Sequence, residues 1–279
     1  MAKVFASRGT ALITGGASGV GLALTTKCHE KGMRVLVADF DSDALKKVSI
    51  KFKENVFIHK VDVGKKEDWD ALKQTVVKDF NGQVNLLALN AGIGKASPWD
   101  EPESFEDIYR TNIMGVVNGI GAILPFVKSA AAEGPTSIVI TGSKQGMTNP
   151  PGRPAYNSSK AAVKSIAEHL SWDLRNDGIP VHLLIPGWTY TGMSGNRANT
   201  GESKPDGAWW PSQVVDYLEQ KMQEGQFWVI CPDNEVSEEL DRKRLMWTAG
   251  DAIQGRPPLN RWREDWKDKA KDSIDKMSL

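Results

Sequence analysis

Several residue types that other protein classes depend on are scarce in this sequence. Its 279 residues include only two cysteines, Cys28 and Cys231, and only four histidines, which are far apart along the chain. Disulfide-stabilised proteins and cysteine- or histidine-rich metal sites need more of these residues, clustered at short spacings. We therefore predict no disulfide scaffold and no bound metal. Because so few cysteines suit a reducing compartment, we expect a cytoplasmic protein.

The sequence also lacks an excess of charge of one sign and long apolar runs. The 35 basic residues balance the 35 acidic residues, so the formal net charge is zero. Nucleic acids and anionic membranes usually bind a clustered basic surplus, and we expect neither as a partner. No uninterrupted apolar stretch reaches the ~18 residues of a membrane-spanning helix. The first nine residues also lack the long apolar segment of a secretory signal.

Short apolar runs alternate with longer amphipathic segments along most of the chain. Such runs lie near residues 11–13, 35–37, 56–58, 86–89, 138–140, 181–185 and 227–230. Runs of this kind indicate strands that are buried on both faces, and their alternation with helices indicates a parallel sheet. We therefore predict an α/β fold, a doubly wound, Rossmann-type sheet of seven parallel strands with helices on both faces. Ligands bind at the carboxyl ends of the strands in such folds.

Two segments fall outside this alternation, residues 191–210 and residues 232–279. The first is rich in Gly, Ser, Asn and Lys, and we interpret it as a substrate lid within a Rossmann-type domain of residues 1–231. The second is a C-terminal extension that we expect to pack on the core or on a sister subunit. We expect Asn234 to cap its first helix and Gly250 to end that helix.

A glycine-rich turn follows the first predicted strand and opens the first predicted helix. It reads Thr14-Gly15-Gly16-Ala17-Ser18-Gly19-Val20-Gly21. Glycines let the backbone approach a pyrophosphate closely, and the helix N-terminus presents free N–H groups to the anion. Asp39 ends the second strand, where a carboxylate accepts hydrogen bonds from the adenine ribose and repels a 2′-phosphate. Since the next residue, Phe40, is not basic, we expect NAD as the cofactor rather than NADP.

A tyrosine and a lysine lie four residues apart in a predicted helix, hence on one face. These are Tyr156 and Lys160, and Ser143 ends the strand before them. A free phenol has a pKa of about 10, which a nearby ammonium group lowers. Tyr156 could then exchange a proton with an alcohol or a carbonyl, while Ser143 hydrogen-bonds the substrate oxygen.

With these motifs in this order, the sequence resembles the short-chain dehydrogenase/reductase family, in its compact single-domain branch. The resemblance covers roughly residues 8–231. Besides the glycine turn and the Ser143, Tyr156 and Lys160 set, it rests on Asp62-Val63, Asn90-Ala91-Gly92, Asn112, and Pro186-Gly187 leading to Thr191.

The resemblance assigns roles to these residues. Ser143, Tyr156 and Lys160 would be catalytic, with Asn112 keeping a water in a proton path to Lys160. Further cofactor contacts would come from the ends of the third, fourth and sixth strands. These contacts are Asp62 and Val63 at the adenine, Asn90, Ala91 and Gly92 beside strand four, and Pro186, Gly187, Thr189 and Thr191 at the nicotinamide.

The substrate pocket of this family is built from the loops after strands four, five and six. We predict substrate contacts from Lys95, Gln145, Met147, Trp188 and Met193. The aromatic C-terminal third, including Trp209 and Trp210, favours a bulky apolar or aromatic substrate, with Lys95, Lys144 or Arg153 meeting a polar tail. An equally open alternative is that these tryptophans pack the extension or fill a subunit interface.

The leading hypothesis is an NAD-dependent short-chain alcohol dehydrogenase or carbonyl reductase. It would transfer a hydride between nicotinamide and a secondary alcohol or ketone. One alternative is an enzyme of natural-product metabolism that catalyses a non-redox or coupled step, and another is a non-catalytic dinucleotide-binding protein. The family resemblance also implies a homodimer or homotetramer.

Overall fold

Seven strands form one parallel sheet in the computed structural model, which describes residues 4–5, 8–194 and 203–279. The strands are β1 (Thr10–Thr14), β2 (Arg34–Asp39), β3 (Val56–Lys60), β4 (Leu86–Leu89), β5 (Ser137–Thr141), β6 (Val181–Ile185) and β7 (Trp228–Ile230). Their order across the sheet is β3-β2-β1-β4-β5-β6-β7. This confirms the predicted doubly wound sheet, in which the winding direction reverses between β1 and β4 and opens a crevice there.

Helices cover both faces of the sheet, as predicted. They are α1 (Gly19–Glu30), α2 (Ser42–Lys51), α3 (Lys66–Phe80), α4 (Pro102–Tyr109), α5 (Gly115–Ala131), α6 (Gln145–Thr148), α7 (Pro154–Asp173), α8 (Pro211–Gln223), α9 (Glu238–Gln254) and α10 (Lys267–Lys276). A five-residue π-helical segment, Arg110–Met114, joins α4 to α5, and 3₁₀ segments occupy Gly192–Ser194 and Asn260–Trp262.

Alternating side chains of the strands build an apolar layer on each face of the sheet. Leu12 of β1 packs with Trp69 of α3 and Ile123 of α5 in one layer. The next residue, Ile13, packs with Leu24 of α1 and Leu218 of α8 in the other layer. Strands β1, β2, β4, β5 and β6 are therefore buried on both sides, which explains why their sequences are almost continuously apolar. The expectation that every strand is buried on both faces is wrong for β3, which lies at the edge of the sheet and has no fully buried residue.

The longest helical run, Pro102–Ala131, has the length and composition of a membrane-crossing helix, features that it shares with core helices of soluble proteins. Its residues Val116, Ile123 and Val127 are buried in the layer that contains α3 and α7. Packing against the sheet therefore accounts for the apolar character of one face of this run.

The first helix of the extension begins and ends at different residues from those predicted. Its cap is Ser237 rather than Asn234, because the Ser237 hydroxyl accepts a backbone N–H of the first turn at 3.1 Å. The helix continues through Gly250 and ends at Gly255, which adopts a left-handed conformation with φ 61°. Gly250 lies inside the helix beside the Arg256 guanidinium, where an added Cβ would be 2.8 Å from that group. Its lack of a side chain therefore serves packing rather than termination.

Helices α9 and α10 pack on each other through a small apolar cluster of their own. Trp247, Ala270 and Ile274 are its buried members. The Trp247 indole N–H donates to the buried side chain of Asn260 at 2.6 Å, and the Arg256 guanidinium lies 3.6 Å from the ring centre. Ala270 and Ile274 thus give the last helix a packing face within the extension.

Candidate active site

A cavity of about 1220 Å³ opens at the carboxyl ends of the strands, where the sheet reverses its winding direction. Small-molecule pockets usually measure about 300–1,000 Å³, so this one can hold an extended ligand together with a second molecule. Across the described residues, no group of three or more His, Cys, Asp or Glu side chains is placed to hold a metal ion.

The glycine-rich turn forms one wall of the cavity and gives it an anion-binding end. Gly15 and Gly19 have φ angles of 61° and 51°, a left-handed backbone that favours glycine. Ser18 precedes the first residue of α1, and its side chain makes no capping hydrogen bond with the described residues. The hydroxyl and the first N–H groups of α1 therefore remain available to a phosphate. Val20 completes this wall.

Gly21 is set back from the cavity and serves close packing instead. An added Cβ at this position would lie 2.1 Å from the Gly15 carbonyl oxygen and 2.7 Å from the Asn90 side-chain nitrogen. A contact of 2.1 Å is far inside van der Waals distance, so any side chain would force the turn away from β4. The glycine thus keeps the turn against the end of the sheet.

Asp39 lies at the mouth of the cavity, next to the glycine-rich turn. One carboxylate oxygen accepts the Ala17 N–H at 3.0 Å, and the other accepts the Asp41 N–H at 3.1 Å. Each oxygen keeps a further lone pair for a ligand hydroxyl. The neighbouring lining residues Ala38, Phe40 and Asp41 carry no positive charge. This part of the cavity therefore suits a neutral diol better than a phosphate.

A polar network joins the ends of β1, β4 and β5 beneath the cavity floor. The Thr14 hydroxyl accepts the backbone N–H groups of Asn90 at 2.9 Å and Ala91 at 3.1 Å. The Asn90 side chain donates to the Thr14 carbonyl at 3.2 Å and accepts the Thr141 hydroxyl at 3.1 Å. Thr14 is buried behind the lining, whereas Asn90, Ala91 and Gly92 face the cavity. The network fixes the relative positions of three strand ends.

Asp62 and Val63 line the cavity after β3, as the family resemblance implies. One oxygen of Asp62 accepts the Gly64 N–H at 3.0 Å, and the other pairs with the Arg110 guanidinium at 3.3 Å. Arg110 also lines the cavity. Sequence reasoning missed this arginine because 48 residues separate it from Asp62 and no local pattern marks it.

The three candidate catalytic side chains meet at the opposite wall. Ser143 follows β5, while Tyr156 and Lys160 extend from the first turns of α7, and all three line the cavity. The Lys160 ammonium donates to the Thr141 carbonyl at 2.8 Å and lies 5.9 Å from the centre of the Tyr156 ring. Both side chains are buried, with exposed fractions of 8% and 4% for Tyr156 and Lys160.

The surroundings of Tyr156 and Lys160 shift the pKa values of both side chains. Burial raises the pKa of Tyr156, while the Ser143 hydrogen bond and the positive charge of Arg153 oppose that rise. The sequence suggested a pKa lowered by Lys160, but burial of the phenol outweighs its neighbours here. Burial also lowers the pKa of Lys160 to about 8. The amine can therefore gain or lose a proton close to neutral pH.

Asn112 lies behind this wall rather than in it. It belongs to the π-helical segment, is fully buried, and exchanges two hydrogen bonds with the Ile93 backbone, at 2.8 Å and 3.0 Å. It also donates to Ser159 at 2.9 Å. Its amide oxygen and the Lys160 ammonium are both within 3.4 Å of the position that a Cβ of Gly92 would take. The π-helical turn thus brings Asn112 next to the lysine.

The residues predicted to contact the nicotinamide or the substrate fall into two groups. Seven of them line the cavity, namely Gln145, Pro186, Gly187, Trp188, Thr189, Thr191 and Met193. Lys95 and Met147 are outside the lining, where Lys95 pairs with the lining residue Asp107 at 2.6 Å and Met147 packs against the apolar layer. The pattern of loop positions could not distinguish these orientations.

Within the predicted lid, residues 191–210, residues 195–202 lie outside the described residues. At its far end Trp209 forms a parallel bridge with Thr189, and Trp210 packs edge-on against Tyr190 with ring centres 5.5 Å apart. Both tryptophans therefore pack at the base of this segment.

Known proteins with similar sequences and folds match most of the chain. A model of the short chain dehydrogenase family matches residues 9–202. Oxidoreductase asL5 of Sarocladium schorii is 32% identical over 179 residues, which are 63% of this chain and 70% of that protein. A diacetyl reductase ((S)-acetoin forming) of Staphylococcus aureus is 33% identical over 191 residues, 66% of this chain and 72% of the relative.

Among solved structures, the fold resembles that of a short chain dehydrogenase/reductase from Burkholderia phymatum in complex with NAD. The TM-score is 0.79 at 26% sequence identity, and the match covers 92% of this chain and 98% of the other.

Proposed function

Because the chain belongs to the short-chain dehydrogenase/reductase family of oxidoreductases, we propose that it transfers a hydride between NAD and a secondary alcohol or its ketone. The observation that carries this proposal is that one cavity is lined by the glycine-rich turn, by Asp39, and by Ser143, Tyr156 and Lys160. A dinucleotide bound along the turn would extend towards these three side chains.

The residues at the cavity mouth favour NAD over NADP. Asp39 and Asp41 present two carboxylates where an adenine ribose would lie, and a 2′-phosphate there would meet their negative charge. Hydroxyl groups can instead donate to the free lone pairs of Asp39. The Burkholderia phymatum protein, whose fold is similar, was solved with NAD.

The chain's own residues supply proton transfer and orientation. The Ser143 hydroxyl holds the substrate oxygen, and Tyr156 accepts its proton in oxidation or donates one in reduction. The Lys160 side chain is held by its hydrogen bond to the Thr141 carbonyl. Because its pKa is about 8, it can take up or release a proton near neutral pH and so exchange protons with the phenol. When bound, oxidised nicotinamide supplies the hydride-accepting carbon and a positive charge that favours the phenolate. Asn112 supports a water-mediated proton path to Lys160.

The ion pairing of the basic side chains near the substrate region indicates which class of substrate would bind. Of the three cations expected to meet a polar tail, Lys95 and Lys144 are ion-paired within the protein. Arg153 lines the cavity and forms no ion pair with any described residue. We infer a bulky apolar or aromatic alcohol or ketone whose tail carries a carboxylate or another acceptor for Arg153. Small aliphatic alcohols turned over faster than such compounds would contradict this.

Replacement of Tyr156 tests the proposed function. In Tyr156→Phe only the phenolic oxygen is lost, so turnover of a panel of alcohols with NAD should fall about 10²- to 10⁴-fold. Binding of NADH, followed by fluorescence, should be unchanged. Tyr109→Phe is the matched control, because Tyr109 bonds Ser158 on the outer part of α7. Equal activity in both variants would remove the role assigned to Tyr156.

A further inference from the structure

The C-terminal extension reaches the active-site loops through charged side chains. Lys144, which directly follows Ser143, forms ion pairs with Asp233 at 3.2 Å and with Asp241 of α9 at 2.5 Å. The exposed fractions of these side chains are 17%, 7% and 5% for Lys144, Asp233 and Asp241. An ion pair with this little solvent is weakly screened, and losing one partner leaves a buried charge unpaired.

Asp233 also holds the loop that follows β6. The carboxylate oxygen that pairs with Lys144 accepts the Trp188 N–H at 3.1 Å. The absence of a side chain at Gly187 permits this contact, since an added Cβ would lie 2.6 Å from the carboxylate and 2.7 Å from the Lys144 nitrogen. One carboxylate therefore connects the loop after β5 with the loop after β6.

The neighbouring residue, Asn234, ties down the other end of the segment between β6 and α8. Its backbone N–H donates to the Gly207 carbonyl at 3.0 Å, and its side chain donates to the carbonyls of Asp206 and Ala208. Trp209 then donates its N–H to the Trp188 carbonyl at 2.8 Å. The start of the extension thus holds both ends of the segment that borders the substrate region.

We propose that Asp233 and Asp241 are positioning residues, which act through Lys144 and Trp188 to hold Ser143 and the Pro186-Gly187 turn at the cavity. Without them, Lys144 leaves its buried position for water and moves Ser143, to which it is directly bonded. A displacement of about 1 Å in a catalytic group can lower the rate about 10²-fold. The extension is therefore part of the catalytic apparatus, although it supplies no residue to the cavity lining.

Turnover in isosteric variants tests this inference, which rests on the proposed function. In Asp241→Asn and Asp233→Asn, kcat per NADH-binding site should fall about 10- to 100-fold, while the Kd for NADH rises by a smaller factor because only the Pro186-Gly187 end of the cofactor site is loosened. Lys144→Met is measured alone and combined with Asp241→Asn. The kcat of the double variant should be no lower than that of the less active single variant, because both changes remove the same ion pair. Should Asp241→Asn fail to fold, Asp233→Asn serves alone, since its amide oxygen can still accept the Trp188 N–H.

Glu239→Gln is the matched control on the same helix. It removes a pair with Lys243 in which the carboxylate is well exposed, and it should change neither kcat nor stability noticeably. If the Asp variants lower only the melting temperature, with kcat per site unchanged, the extension has a purely structural role and the inference is wrong.

Hydrogen exchange gives a readout that needs no substrate. Amides of residues 142–147 and 187–190 should exchange about tenfold faster or more in Asp241→Asn, and should not change in Glu239→Gln. Faster exchange with an inactive wild-type enzyme would contradict the proposed function and leave the positioning role intact. Unchanged exchange would contradict the positioning role, whatever the activity.

Discussion

The two walls of the cavity are built by different kinds of interaction. The wall formed by β1 and β2 depends on backbone geometry, with Gly15 and Gly19 in left-handed conformations and Asp39 bonded to nearby N–H groups. The wall formed by β5 and β6 depends on charges, since Lys144 pairs with a carboxylate 89 residues further along the chain. The first wall is thus specified within a short sequence, whereas the second requires the whole fold.

A side chain at Gly21 should break the first wall with the largest effect. In Gly21→Ala the new methyl group collides with the Gly15 carbonyl, so the Kd for NADH should rise about 100-fold or more and stability should fall by about 1–3 kcal/mol. Gly121→Ala on α5 is the matched control, because its added Cβ would have no described atom within 4 Å apart from the nearby backbone of its own helix and its chain neighbours. That change should stabilise the helix by about 0.5–1 kcal/mol. Similar behaviour of both variants would contradict the packing role of Gly21.

A charge change at Asp39 should sharpen the comparison, because it alters ligand preference in addition to removing the acceptors of the Ala17 and Asp41 N–H groups. In Asp39→Arg the kcat/KM ratio of NAD over NADP should fall about 10- to 50-fold, as a charged hydrogen-bonding group is lost and a phosphate partner is gained. Asp43→Arg in the first turn of α2 is the control. An unaltered ratio in Asp39→Arg would mean that the ribose lies elsewhere.

Removal of the buried Lys160 ammonium, in the second wall, should show how much its burial lowers the free energy of unfolding. The folded-state pKa of Lys160, about 8, lies below its ordinary value of 10.5. The folded protein therefore binds fewer protons than the unfolded chain between these values, and its stability rises with pH across that window. Lys160→Met should raise the free energy of unfolding at neutral pH by about 1–3 kcal/mol while abolishing turnover.

Denaturant unfolding at neutral pH and near pH 10.5 measures this difference. The advantage of Lys160→Met should shrink at the higher pH, where the wild-type amine is neutral in the folded state and already half deprotonated in the unfolded state. Lys164→Met, which removes a more exposed pair with Glu168 on the same helix, should show no such trend. A stability gain that is independent of pH would mean that burial of the charge is not its cause.

The features predicted from sequence are those that local pattern specifies. Continuous apolar runs predicted the strands, because parallel strands are buried on both faces. Part of the glycine turn lines the cavity, as do Tyr156 and Lys160, and both patterns are readable because each lies within a single turn or helix.

The features that the sequence did not reveal depend on contacts between distant segments. The pairing of Lys144 with the extension and of Arg110 with Asp62 joins residues with no common pattern. Ser237, rather than Asn234, caps α9, because Asn234 is engaged with the 206–208 backbone. The raised pKa of Tyr156 reflects burial, which only the assembled fold determines.

The most direct test of the proposed function follows deuterium from substrate to cofactor. A secondary alcohol that carries deuterium on its carbinol carbon is oxidised by the enzyme with NAD, and the NADH formed is analysed by mass spectrometry. Direct hydride transfer predicts NADH that contains the deuterium, with a slower rate than for the unlabelled alcohol. NADH without the label, or no NADH with any alcohol of the panel, would contradict it.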